Sequence, residues 1–310
     1  MENAMSEPKN DAQSGATNRA QVIPDTVKPA DNSGTQALAD FLQVVGSCVA
    51  DLNTIAVGLS AIGQDHEKPE GLNINWAPKD PLVAARKARK AAVHAAMVVT
   101  VEALGQYVRT ITKLPRFEKL TTEWNSRKPK PPSAAERFSE LAKLLFVPIC
   151  PVKDATDYDT RFRSCCVMLL IHWRNRHVHT DSNAELTYQE KQVIQAHEER
   201  IRNAYAGLDL DKLFGDFKHN RPTLKEATTL IAMTIQEVRA MDEAVYTCND
   251  AADVQAWLDH YKLAERIGKI QRESKPEKQR ASILRMLHTH APRLKPWYEK
   301  FIPDPLIATQ

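Results

Sequence analysis

Hydrophobic and polar positions alternate along this chain with a period of three to four residues, the spacing that gathers apolar side chains on one side of an α-helix. Leu38, Phe41, Leu42, Val45, Val49, Leu52, Ala56 and Leu59 keep it from Thr35 to about Ile62, and the Gly, Pro and Asn of Gly63 to Pro78 then end it. Asp80-Pro81 starts a long helix, because Asp can cap and Pro at the first helical position lacks only a donor the helix does not use. Its stripe is Val93, Met97, Val101, Leu104, Val108 and Ile111. Lys113 to Pro132 shows no stripe and reads as a loop. Ser133-Ala134-Ala135-Glu136 has the spacing of a capping box, with Phe138, Leu141, Leu144 and Leu145 behind it and Pro148 as a stop.

The next helix is predicted to begin near Tyr158, after Asp154, Asp157 and Asp159, whose charges suit a helix N-terminus. Phe162, Cys166, Leu169, Leu170 and Trp173 take helical spacing and Cys165, Met168 and Ile171 fill the other faces, so other helices should surround it. It runs straight into Arg174-Asn175-Arg176-His177-Val178-His179. After a polar break at Thr180 to Asn183, Thr187-Tyr188-Gln189-Glu190 is a second box, ahead of Val193, Ile194, Ile201, Ala204 and Tyr205. Thr223-x-x-Glu226 is a third, opening a helix to about Thr247. Further helices start at Asp250, with Val254, Trp257, Leu258 and Tyr261, and at Pro276, running through Ile283, Leu284 and Leu287.

The expected class is all-α. Residues 1–33 read as a disordered tail, 34–79 as an N-terminal helix and linker, 80–206 as a four-helix bundle with short connections, and 207–310 as a C-terminal helical extension. Ten Gly in 310 residues suit helices better than the turns of an all-β protein. A net charge of +3 is too small to mark a nucleic-acid binder without clustering. Five cysteines without a C-x-x-C pair read as reduced residues of a soluble cytoplasmic protein. No secretory signal is expected, and Ala91 to Val108, interrupted by His94, Glu102 and Gln106, makes a poor membrane span. No Gly-rich phosphate loop or repeat of fixed period is present.

Chemistry concentrates at the tail of the surrounded helix. Imidazole exchanges protons near neutral pH, which suits the 2′-hydroxyl of RNA attacking the neighbouring phosphate, and His179 is the candidate acid and base. Arg174 offers a planar, permanently charged fork for phosphoryl oxygens, and Asn175, four residues before His179, can orient imidazole or phosphate. Arg176 and His177 are possible auxiliaries. Arg86, Lys87, Arg89 and Lys90, in the first turns of the long helix, form either a solvated basic face or an RNA-binding one. His172, His177 and His179 fit no closed zinc set, so no metal and no cofactor are expected. Against catalysis, Arg and His at a helix C-terminus also cap carbonyls and complement the dipole. His94, His197, His219, His288 and His290 read as surface or core histidines, and Glu102 as a solvated or paired helix acid.

The order Arg174-Asn175, three residues, His179, at the end of the third helix of a four-helix unit, resembles the HEPN (higher eukaryotes and prokaryotes nucleotide-binding) superfamily and its Arg-x4-6-His ribonucleases. The match covers about Asp80 to Ala206 and places the family's arginine on Arg174, its polar residue on Asn175 and its histidine on His179. It implies a homodimer joining two motifs in one cleft and a metal-independent endoribonuclease leaving 2′,3′-cyclic phosphate and 5′-hydroxyl ends. It further implies a toxin or antiviral effector, open to an antitoxin or other inhibitory partner. Arg176 and His177 add charge inside the motif, and the Thr35 to Ile62 helix and the chain after Ala206 lie outside the family's minimal unit. A rival expectation is a non-catalytic helical module binding nucleotide, RNA or protein. A third is a DNA-binding protein using the basic C-terminal helices.

Overall fold

The computed structural model describes residues 34–146, 155–179 and 181–302, and among them it contains thirteen α-helices, one turn of 3-10 helix and no strand. The all-α class is therefore observed. Helix α1 (Gln36–Ser60) is capped by Thr35 and buries Ala37, Phe41, Val45 and Leu52. It packs along α2 (Pro81–Ile111), whose cap Asp80 accepts from the Val83 N–H at 3.0 Å.

The region read as a loop instead holds the 3-10 turn Pro115–Phe117 and α3 (Glu118–Ser126). The reason is tertiary. Trp124 is buried and its indole donates to Glu140 at 2.6 Å, while Arg127 pairs with the same carboxylate at 2.7 Å, so α3 is held from outside and not by its own stripe. Glu140 lies on α4 (Ala134–Phe146), which opens on a capping box: the Ser133 N–H donates to Glu136 at 2.6 Å and the Glu136 N–H to the Ser133 hydroxyl at 3.3 Å. Pro148, Cys150, Asp154 and Thr180 lie outside the described residues, as does the expected tail 1–33.

Helix α5 (Ala155–Val178) starts earlier than Tyr158 and is surrounded: Phe162, Cys165, Cys166, Val167, Leu169, Leu170, Ile171 and Trp173 are all buried. The single helix expected after Thr187 is broken into α6 (Tyr188–Gln195) and α7 (Glu198–Ala204), with His197 between them stacked on Phe162 at 5.2 Å. Helix α8 (Leu210–Lys218), capped by Asp209, occupies a stretch in which no helix was expected. Then come α9 (Leu224–Val245), α10 (Ala251–His260), α11 (Ala264–Glu273), α12 (Pro276–His290) and α13 (Lys295–Phe301).

Helix α5 packs against α2, α4, α6 and α9, and α9 also touches α1, α2 and α4. The boundary expected at 206 therefore falls inside one continuous core. Two buried acids of α9 tie it together. Asp242 accepts from the Thr35 N–H at 3.0 Å, from the Tyr107 hydroxyl at 3.4 Å and from Arg293 at 3.3 Å, and Glu237 takes Ser164 and Arg163 from α5. A carboxylate buried with several donors is costly to orphan, so each fixes the relative register of the helices it joins. Burial also pushes the Cys165 and Cys248 thiols up to about 12, which leaves them protonated packing groups.

Candidate functional site

At the end of α5 the chain changes from fully buried to exposed within six residues. Trp173 is buried; Arg174, Asn175 and Arg176 are half-buried; His177 and His179 are exposed. The helical bonding persists one step past the last helical residue, since the His179 N–H donates to the Asn175 carbonyl at 2.9 Å. That i, i+4 bond puts Asn175 and His179 on one side of the tail.

The two arginines beside Asn175 have different employment. Arg176 is a structural tie: its guanidinium donates to the Ala184 carbonyl at 2.8 Å and the Phe217 carbonyl at 3.2 Å, pairs with Glu185 at 2.8 Å, and lies over the Phe217 ring at 4.4 Å. Phe217 belongs to α8 and also meets Trp173 edge-on at 5.6 Å, so the helix missing from the sequence expectation is the one that clamps the α5 tail. Arg174 pairs with Glu102 of α2 and donates to Asn175 Oδ1 at 3.2 Å, while its buried Nε has no hydrogen-bond partner. The fork is thus anchored at one side with donors left over.

His177 meets a residue that sequence reasoning set aside. Its ring lies 3.7 Å, centroid to centroid, from that of His94 on α2, tilted by 51°. His94 is only 6% exposed, and its Nε2 is buried without a partner. Burial, then His177 and Lys90, lower its pKa to about 4, and burial with Lys90 also lowers that of His177. Both imidazoles are consequently held neutral at pH 7, with the exposed cation Lys90 one helical turn before His94.

Of the basic set on α2, the structure brings Lys90 to the α5 tail through its influence on both histidines. Arg86 is exposed and its Nε donates to the Leu82 carbonyl of its own helix at 3.3 Å, Lys87 is exposed, and Arg89 is half-buried with an unpartnered Nε. His172 is half-buried with its pKa lowered by burial. No group of three His, Cys, Asp or Glu is arranged to hold a metal ion among the described residues. One signal for the two missed partners existed: His94 and Glu102 are the lone histidine and the lone acid in the apolar window Ala91 to Val108. Each faces a charged or titratable group of the α5 tail.

Comparison of the chain with family models, with curated proteins and with solved structures finds no match.

Proposed function

We propose that the α5 tail, backed by α2, is the RNA-cleaving centre of a metal-independent endoribonuclease of the HEPN kind. The observation that carries this is the pairing of Arg174 with Glu102 and of His177 with His94 where the α5 tail meets α2, with exposed His179 following one residue past the helix. His179 takes the 2′-hydroxyl proton, and the freed oxygen attacks the adjacent phosphorus. The P–O bond to the departing 5′-oxygen breaks, that oxygen collects a proton, and a 2′,3′-cyclic phosphate remains. Arg174 stabilises charge on the phosphoryl oxygens through donors that Glu102 leaves unfilled, Asn175 sets its orientation, and Lys90 with neutral His177 lines the approach of the backbone. Such a centre joins a second copy across one cleft, and a toxin or defence effector of this type acts in the cytoplasm under an inhibitory partner.

The test is cleavage of an RNA oligonucleotide with chelator present, together with the same oligonucleotide carrying a 2′-deoxy group at the cut site. Cleavage that requires divalent metal, or that survives the 2′-deoxy substitution, ends the proposal. A second reading is favoured by one observation, the neutralisation of Arg174 by Glu102. On it the same tail holds phosphate without cutting, and salt-dependent RNA binding without new RNA ends distinguishes the two.

A further inference from the structure

Helix α1 is apolar enough in length and composition to cross a membrane, yet only 11% of its most apolar window is buried, whereas 56% of the matching window of α2 is buried. Of the eleven exposed large hydrophobics among the described residues, Val44, Ile55 and Val57 lie on α1 and Val99 on α2, so apolar surface is left uncovered along α1. A Cβ built at Gly46 or Gly58 would meet nothing within 4 Å, so the outer side of α1 is open. Between α1 and α2 runs a groove of about 750 Å³, its apolar lining including Val44, Cys48 and Ile55 of α1 and Ala92, Ala95 and Val99 of α2. Val44 is 47% exposed and Ile55 45%.

The charges on this groove select its occupant. Across its whole length α1 carries Asp40 and Asp51 and neither Lys nor Arg. Both acids line the groove, and neither has an ion-pair partner among the described residues; Asp40 accepts from the neutral Gln36 amide at 2.7 Å. Eleven positions separate them, about 16 Å along a helix axis. A second α1 laid on the first by a two-fold axis would bring four carboxylates together with no cation from either helix. An anionic bilayer would repel the same groups.

We infer that this groove receives an amphipathic helix of a protein partner, its apolar stripe seated between α1 and α2 and its flanking Lys or Arg residues meeting Asp40 and Asp51. The shape matches helix-in-groove recognition, in which buried apolar anchors give affinity and rim charges give orientation. Because α2 carries both Ala92, Ala95 and Val99, which line this groove, and His94 and Glu102, which meet the α5 tail, an occupant would lie against the helix that backs the proposed centre. The inference does not rest on RNA cleavage.

The experiment uses the full chain and two helical peptides of about five turns, identical in their leucine stripe and flanked by Lys in one and Glu in the other. Binding is read by fluorescence anisotropy and by methyl shifts of Val44, Ile55 and Val99. The Lys peptide is expected to bind at least about tenfold more tightly, to shift those methyls, and to lose its advantage in the Asp40→Asn, Asp51→Asn double variant. Ile55→Glu should abolish binding by both while the circular dichroism spectrum is unchanged. Failure of both peptides to bind, or equal binding, overturns the inference. So does a doubled mass in light scattering that Ile55→Glu halves, which assigns the groove to a second copy, or binding to phosphatidylcholine vesicles that Ile55→Glu removes, which assigns it to a bilayer.

Discussion

Helix α2 buries an ordinary apolar stripe, Val93, Met97, Val101, Leu104 and Val108, but its contacts with α5 and with α1 each hold an exception to it. Toward α5 it offers His94, almost fully buried, and Glu102, exposed and paired with Arg174. Toward α1 it offers half-buried Ala92 with Ala95 and Val99, which like Val44 and Ile55 stay open to solvent. A buried imidazole and uncovered apolar groups each cost free energy in the isolated chain, since burial disfavours charge and exposure forgoes the gain from covering apolar area. Sites that bind something are where such costs are tolerated, and here both lie on one helix.

The largest expected effect separates chemistry from structure on the α5 side. His179→Ala should lower RNA cleavage by about 10²- to 10⁴-fold, the range of a lost general acid or base, while the melting temperature stays put because the side chain is exposed. Lost stability with undiminished activity of the folded fraction would instead make His179 a cap.

Next comes pH. Folded His94 takes its proton at about 4, whereas the unfolded chain takes it near 6.5, so between those values the unfolded state holds more protons. Its contribution is therefore fully present above about pH 6.5 and is lost as the pH falls toward 4, by up to roughly 3 kcal/mol. Urea titrations across that window should show the slope, and His94→Leu should flatten it; an unchanged slope would remove His94 from the interior of the α2–α5 contact.

Arg176→Ala should cost about 2 kcal/mol by stranding two carbonyls and uncovering Phe217. Its cleavage per folded molecule should match the parent chain, since Arg176 is spent on α8 and the 184–185 segment. A loss comparable to that of His179→Ala would move it into the reaction. On the α1 side, Asp51→Asn should change stability by less than about 0.5 kcal/mol, as expected of an exposed residue without an ion-pair partner. A larger fall would mean that the groove is built for this fold alone.

Much of the architecture was readable from spacing. The boxes at Thr187 and Thr223 form as read, with the Thr N–H donating to Glu190 at 2.7 Å and to Glu226 at 2.8 Å, because a capping box is complete within four residues. Helix α3 was not readable, since Trp124 is held by Glu140 from another helix. Nor was α8, although Asp209 is a proper cap and Leu210, Leu213 and Phe217 are buried. At the candidate site, sequence singled out the α5 tail, with Arg174 as its principal cation and Arg176 as a possible auxiliary. Their partners distinguish them, and the most distant of these lie 72 positions away for Arg174 and 41 for Arg176.

Local spacing by itself determined that the described chain is helical and where most helices begin, because caps and stripes act over one or two turns. Tertiary structure decided which cations are already spent, that His94 lies under His177, and that α9 belongs to the core. Those facts arise from side chains far apart in sequence, whose desolvation and pairing exist only once the helices have packed.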